Sequence, residues 1–138
     1  MDIDALKTRL AINLNNLDAE LIHQPTVFFE VADAHAMAIA ERDTAEEALA
    51  RADAQKDAEL RAQPDKTTEA AIKNKIQISE EHIAAFKVYL EAKTMAARLE
   101  GLRKAFEQRA PIIRDACHRQ ESEMYAQTSL YRRDKRAS

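Results

Sequence analysis

Glycine is almost absent from this chain: Gly101 is the only one among 138 residues. A Walker-type phosphate loop or a dinucleotide fingerprint needs two or three glycines at fixed spacing, so both are excluded. An all-β fold is disfavoured as well, because its tight turns need residues that tolerate a positive φ. Charged residues make up 33% of the chain and aromatic residues 5%, which is typical of long helices or coiled coils. We therefore predict an all-α fold, and the length is that of one domain.

Prolines and asparagines divide the predicted helices. Pro25 fits the first position of a helix, Pro64 interrupts the chain, and Pro111 is expected to kink or end a helix. The prediction is a long helical hairpin with a short N-terminal element and a C-terminal helix, within a single domain over residues 1–138. The elements are an N-terminal element (1–24), a first long helix (25–63), a second long helix (67–110), a C-terminal helix (111–128) and a basic tail (129–138).

Two stripes recur at seven-residue spacing on the long helices. Ala38, Ala45 and Ala52 form a stripe of small residues, which allows another helix to approach closely. Ile76, Ile83 and Leu90 form a larger apolar stripe, with Phe86 and Ala97 on the same face. Alanine buries little area, and at roughly 25 cal/mol per Å² a monomer would be marginally stable. We therefore expect a homo-oligomer.

The net charge of −3 hides a gradient along the chain. Residues 1–66 carry seven basic and 14 acidic side chains, whereas residues 103–138 carry nine basic and five acidic ones. A basic end on an acidic body suggests an anionic partner, head-to-tail contacts between subunits, or simply a solvated helical tail.

No catalytic or metal-binding constellation stands out. The four histidines do not recur at the i, i+3 or i+4 spacing of a helical metal pair. Cys117 and His118 are adjacent, so their side chains point in different directions on a helix. We expect no enzyme activity, no cofactor and no metal. A lone cysteine fits a reducing compartment, and no apolar run approaches the length of a membrane span, so we expect a cytoplasmic protein.

Basic residues suggest two places for an anionic partner. One is the region around the break at Pro64, and the other is the C-terminal third, which ends in Tyr131 followed by four basic residues within five positions. Such a tail can hold phosphates and stack a base. Taken with the resemblance described next, the candidate DNA-binding residues are Arg51, Lys56, Arg61, Lys66, Lys73, Arg109 and Arg114.

The order of these elements resembles the recombination mediators of T4-type phages, the UvsY family, over roughly residues 2–120. Four features carry the resemblance: the opening helix 3–10; the asparagine-leucine segment 14–20 before Pro25; the break at Pro64 followed by Thr68-Glu69; and the stretch 105–109 followed by Ile113-Arg114.

The resemblance implies a protein without enzymatic activity that binds single-stranded DNA as a ring-like homo-oligomer in a phage-infected bacterial host. Such a protein helps to load a RecA-like recombinase onto strands coated by single-strand-binding protein. By position in the family pattern, Lys56 and Arg61, with Arg51 beside them, are the implied DNA contacts. Ile112, Ile113 and Tyr125 are the implied oligomerisation residues.

Two other hypotheses stay open from the sequence. The first is a structural or adaptor coiled-coil phage protein that acts through protein contacts only and assembles through Ala38, Ala45 and Ala52. The second is a small enzyme that uses Cys117 or a histidine. Binding to a single-stranded oligonucleotide separates the mediator from the structural protein, because phosphate contacts weaken steeply with salt.

Overall fold

The computed structural model describes residues 2–137, and these residues form four α-helices and no strand. The helices are α1 (Ile3–Thr8), α2 (Leu17–Ala62), α3 (Glu69–Gln77) and α4 (Glu80–Ala137). A long helix packs against another, which confirms the predicted all-α fold class. The described residues divide into two compact units: those up to Ala32 together with those from Gly101 onward, and Asp33–Glu100.

Helix α2 begins earlier than the sequence predicts, at Leu17 instead of residue 25. The backbone carbonyl of Asn16 accepts a hydrogen bond from the Glu20 amide at 3.2 Å, and its side chain accepts from the Ala19 amide at 3.4 Å. Asn16 therefore starts the helix, and Pro25 lies inside it. A proline removes one backbone hydrogen bond, but the helix continues because buried side chains on both sides of Pro25, Gln24 and Val27, anchor it.

The predicted break at Pro64 is present, since α2 ends at Ala62 and α3 starts at Glu69. The Thr68 hydroxyl caps α3 by accepting from the Ala71 amide at 3.2 Å. The second predicted helix, 67–110, is divided at residues 78–79. The Ser79 hydroxyl donates to the Ile76 carbonyl at 2.6 Å and accepts from the His82 amide at 3.3 Å. One serine thus ends α3 and starts α4.

Helix α4 runs through both Gly101 and Pro111 to Ala137. The predicted end near residue 110 is therefore wrong, and the segments 111–128 and 129–137 belong to one helix. The reason is packing around the proline: Phe106, Arg109 and Ile113 are all buried, and they hold α4 in place on both sides of the one hydrogen bond that Pro111 cannot donate. The predicted tail's last residue, 138, and residue 1 lie outside the described residues.

In the first unit, α1, the start of α2 and the later part of α4 surround a core of large apolar side chains. Asp2 caps α1 by accepting from the amides of Asp4 and Ala5 at 3.0 and 3.2 Å. Apolar side chains from all three helices are buried, and three of them, Val31, Phe106 and Ile113, have no exposed surface. The apolar core residues are Ile3, Leu6, Leu17, Val27, Val31, Leu102, Phe106 and Ile113.

In the second unit, α2 and α4 lie antiparallel and α3 connects them. Asp53 contacts His82, and Lys56 contacts Glu81, so the two helices run in opposite directions. The core here is small: it consists of Ala34, Ala38, Ala45, Leu60, Ile72, Ala96 and Leu99. Because Ala38 and Ala45 are buried within the chain, this part of the alanine stripe packs inside the helical hairpin.

Candidate nucleic-acid interface

The predicted DNA contacts late in α2 are engaged with carboxylates of the same chain. Arg51 donates to Glu47 at 3.0 Å. Lys56 is half-buried and lies 3.7 Å from Glu59 and 3.9 Å from Glu81. Each positive charge is thus close to at least one negative charge, so this stretch of α2 offers a phosphate little net attraction.

Arg61 forms a clasp between α2 and α3. Its Nε donates to Asp57 at 3.0 Å, and its two terminal nitrogens donate to the two oxygens of Glu69 at 2.8 Å each. Hydrogen bonds to the two carboxylates raise the pKa of Arg61. The guanidinium is therefore satisfied by the chain itself. Lys66 and Lys73 nearby are exposed, and they remain available to an anion.

The stability that the contact between Arg61 and Glu69 contributes to the fold depends on pH, and it is lost at low pH. The hydrogen bond from Arg61 lowers the pKa of Glu69 below its ordinary value of 4.5. A lowered pKa in the folded state contributes stability above the ordinary pKa, and that contribution disappears as the pH falls through the lowered value. We expect the difference in melting temperature between the native chain and Glu69→Gln to be constant near about pH 7 and to vanish near about pH 2. Thermal melts followed by circular dichroism measure it.

Glu41→Gln is the matched control for that prediction. Glu41 is exposed and has no ion pair among residues 2–137, so its replacement should give a pH profile parallel to that of the native chain. A difference in melting temperature between Glu69→Gln and the native chain that persists unchanged in acid would contradict the claim that the charged Glu69 stabilises the fold through Arg61.

Arg109 is the centre of a buried polar network in the first unit, with only 6% of its surface exposed. Its Nε donates to the Leu10 carbonyl at 3.0 Å, and one terminal nitrogen donates to the Ala11 carbonyl at 3.0 Å and also to the Glu20 carboxylate. The other terminal nitrogen donates to the Gln24 side-chain oxygen at 2.7 Å. The guanidinium is therefore held by groups of the same chain, and this arrangement lends no support to the predicted DNA contact of Arg109, which stays a prediction.

Gln24 completes this network, and it is not among the residues predicted from the sequence. It is 5% exposed, and its side-chain amide donates to the Phe106 carbonyl at 2.6 Å while its oxygen accepts from Arg109. Glu20 and Gln24 are four residues apart and therefore share one face of α2. The signal in the sequence is this pair of polar residues four positions apart on α2, together with a single arginine on an otherwise apolar face of α4.

The predicted oligomerisation residues separate into one core residue and two surface residues. Ile113 has no exposed surface, so it belongs to the core of the first unit, and its role in an interface stays a prediction without support from its position. Ile112 is 56% exposed and Tyr125 is 80% exposed. Both stay accessible to a partner.

The last part of α4 is an exposed helix: every residue from 118 to 137 is exposed, and near its start Gln120 donates to the Leu14 carbonyl at 3.0 Å. We call residues 118–137 the C-terminal arm. One side of the arm carries an aromatic and basic stripe, which we call the basic stripe: Tyr125, Ser129, Arg132 and Arg136, with Arg133 beside them. Spacings of three and four residues keep these side chains on one face. They line a shallow groove together with Thr128.

The charges of the basic stripe are not neutralised by carboxylates. Within residues 2–137, Arg132, Arg133 and Arg136 form no ion pair, in contrast to Arg51 and Arg61. On the neighbouring face, the Lys135 ammonium lies 5.1 Å from the centre of the Tyr131 ring. Arg114, the remaining predicted DNA contact, is exposed near the start of the arm. The sequence predicts a basic tail over residues 129–138 and not a continuation of α4, so it does not reveal the stripe that the helix creates.

The described part of the chain holds no group of three or more histidine, cysteine or acidic side chains that would bind a metal ion. Cys117 is half-buried, and the neighbouring His118 is exposed and lies 4.0 Å from Glu121 on the arm. These two residues are not held together by a hydrogen bond in the described structure. None of the helices in residues 2–137 has the length and apolar character needed to cross a membrane.

Comparison of the chain with protein-family models, curated proteins and solved structures found no match.

Proposed function

We propose that the protein binds single-stranded DNA through the C-terminal arm and acts as a recombination mediator. The observation that carries the proposal is the basic stripe: three arginines without carboxylate partners among the described residues, aligned with Tyr125 on a fully exposed helix. Arginines bind phosphates, and an aromatic ring stacks on a base regardless of sequence. This combination supports binding of a single strand without base-specific readout.

Assembly into a ring-like homo-oligomer is part of the proposal. One arm offers a few phosphate contacts, and several arms on one assembly would engage the same strand together. The second contact is then intramolecular, so avidity exceeds the affinity of a single arm. Exposed Ile112 supports such assembly, since it is apolar and accessible.

The test is the affinity for a fluorescent single-stranded oligonucleotide, measured by anisotropy at several salt concentrations. Replacing Arg132, Arg133 and Arg136 together by glutamine should weaken binding by at least about tenfold at low salt. It should also make the slope of log K against log salt less steep by about 2, because each phosphate contact on a single strand contributes about 0.7.

The matched control removes the same charge elsewhere. Lys66, Lys73 and Lys75 are exposed in the second unit, and their replacement by glutamine should leave the affinity and the salt slope within about twofold of the native values. If the two triple variants bind equally well, DNA binding does not reside in the arm. If the native protein does not bind at about 50 mM salt, the proposal is wrong and the structural or adaptor protein is favoured.

The mediator step needs its own measurement. With a single strand coated by single-strand-binding protein, the native protein should shorten the lag before a RecA-like recombinase forms filaments, and the triple arginine variant should not. A native protein that binds the strand but leaves the lag unchanged would be a DNA-binding protein of another kind.

A further inference from the structure

We propose that the outer side of α4 in the second unit is a dimerisation face that pairs antiparallel with the same face of a second copy of this chain. The face consists of Ile83, Phe86, Leu90, Thr94 and Ala97, which we call the outer face. Their spacings of 3, 4, 4 and 3 residues place all five on one line along the helix, as in a coiled-coil seam.

The outer face is apolar and uncovered. Ile83 is 57% exposed, Phe86 is 41% exposed and Leu90 is 43% exposed. The core of the second unit lies on the other side of α4: Leu99 is 2% exposed, and nine positions at about 100° each set it opposite Leu90. Helix α2 therefore covers one side of α4 and leaves a second apolar side open, and contiguous exposed apolar surface marks an interaction site.

The sizes of the side chains select an antiparallel partner of the same sequence. The large residues are at the beginning of the outer face, and the small ones, Thr94 and Ala97, are at its end. A two-fold axis beside Leu90 sets Ile83 of one copy against Ala97 of the other, and Phe86 against Thr94. Large side chains then fill the space left by small ones, as in a packed core. A parallel arrangement would set Phe86 against Phe86 and leave the alanines facing each other.

The charges beside the outer face agree with the same register. Lys87 and Glu91 lie on one flank of α4, and neither has an ion pair among residues 2–137. With the axis beside Leu90, Lys87 of one copy lies within about two residues, or about 3 Å along the axis, of Glu91 of the other. This opposite-charge pair occurs twice, because a two-fold interface is self-complementary.

Disulfide trapping tests both the face and its direction. In a Cys117→Ser background, the double variant Ile83→Cys, Ala97→Cys should form a covalent dimer under mild oxidation, because position 83 of one copy meets position 97 of the other. Fourteen residues separate the two positions along one helix, or about 21 Å, so they cannot bond within a chain. Each single-cysteine variant should remain uncrosslinked. Efficient crosslinking of a single variant, or none by the double variant, would overturn the antiparallel pairing.

Sedimentation equilibrium tests the face without cysteines. Leu90→Glu places two carboxylates at the axis and should weaken association by at least about tenfold. Val88→Glu is the matched control: Val88 is also apolar and 57% exposed, but two positions turn it well away from Leu90, so association should be unchanged. Helix content by circular dichroism checks that both variants fold. Equal effects of the two variants, or a native chain that fails to associate through this face, would show that something other than a second copy covers it.

Discussion

Replacing Arg109 by methionine should lower the free energy of unfolding by about 3–5 kcal/mol. Stability falls because removal of the arginine leaves buried polar groups without a hydrogen-bond donor. The Glu20 carboxylate and the Leu10 and Ala11 carbonyls lose a donor, and breaking a buried ion pair from one side leaves an uncompensated charge. Urea unfolding followed by circular dichroism measures the change.

Two variants make this result specific. Arg114 lies five residues further along α4 and is exposed, so Arg114→Met should change stability by no more than about 0.5 kcal/mol. Arg109→Lys keeps the charge but lacks the planar fork that reaches several acceptors at once, and it should fall between the native chain and Arg109→Met. Equal stabilities of Arg109→Met and Arg114→Met would show that the network does not stabilise the fold.

Phe106→Ala should cost about 3–5 kcal/mol of stability, because a fully buried aromatic side chain leaves a cavity when it is truncated. Phe106 has no exposed surface, and its ring also lies 6.0 Å from the Arg109 guanidinium carbon. Denaturant unfolding gives the free energy, and an unchanged dependence on denaturant shows that the loss is one of stability.

Phe29→Ala is the control for Phe106→Ala. Phe29 also lies in the first unit but is 68% exposed, so the same change of chemistry should shift stability by no more than about 0.5 kcal/mol. If the two alanine variants are destabilised to the same extent, the core of the first unit is not where the structure places it.

The helical class was predictable because it depends on local preferences that act along the whole chain. One glycine and few aromatic residues left little alternative to long helices, and Pro64 stopped α2 because nothing buried holds the chain there. The positions of Pro25 and Pro111 were misjudged for the opposite reason. The cost of a proline is local, but the buried side chains beside it, such as Gln24 and Phe106, belong to contacts between distant segments, which a single sequence does not display.

The candidate nucleic-acid interface was likewise predictable only as far as local composition determines it, and not where it depends on contacts between distant segments. Charge composition alone shows a basic C-terminal third, because composition needs no fold. It could not tell Arg109, which is 6% exposed, from Arg132, which is exposed. That difference arises because Glu20 and Gln24 approach from more than eighty residues away in sequence. The carboxylate partners of Arg61 were hidden for a related reason: Glu69 reaches it only because the chain reverses at residues 63–68.

The C-terminal arm has a thermodynamic consequence. Its residues are all exposed, so beyond the contact of Gln120 with Leu14 the arm depends on backbone hydrogen bonds and local pairs, and isolated helices of about this length are marginal in water. The arm is therefore a part of the described chain whose local opening needs little free energy. A ligand that binds along the arm must offset the conformational entropy that the arm loses when it is held as a straight helix. Binding in turn stabilises the helical state of the arm. Binding of a ligand to the arm and formation of helix in the arm are therefore linked equilibria. A DNA single strand bound to the basic stripe would also make α4 longer and more rigid.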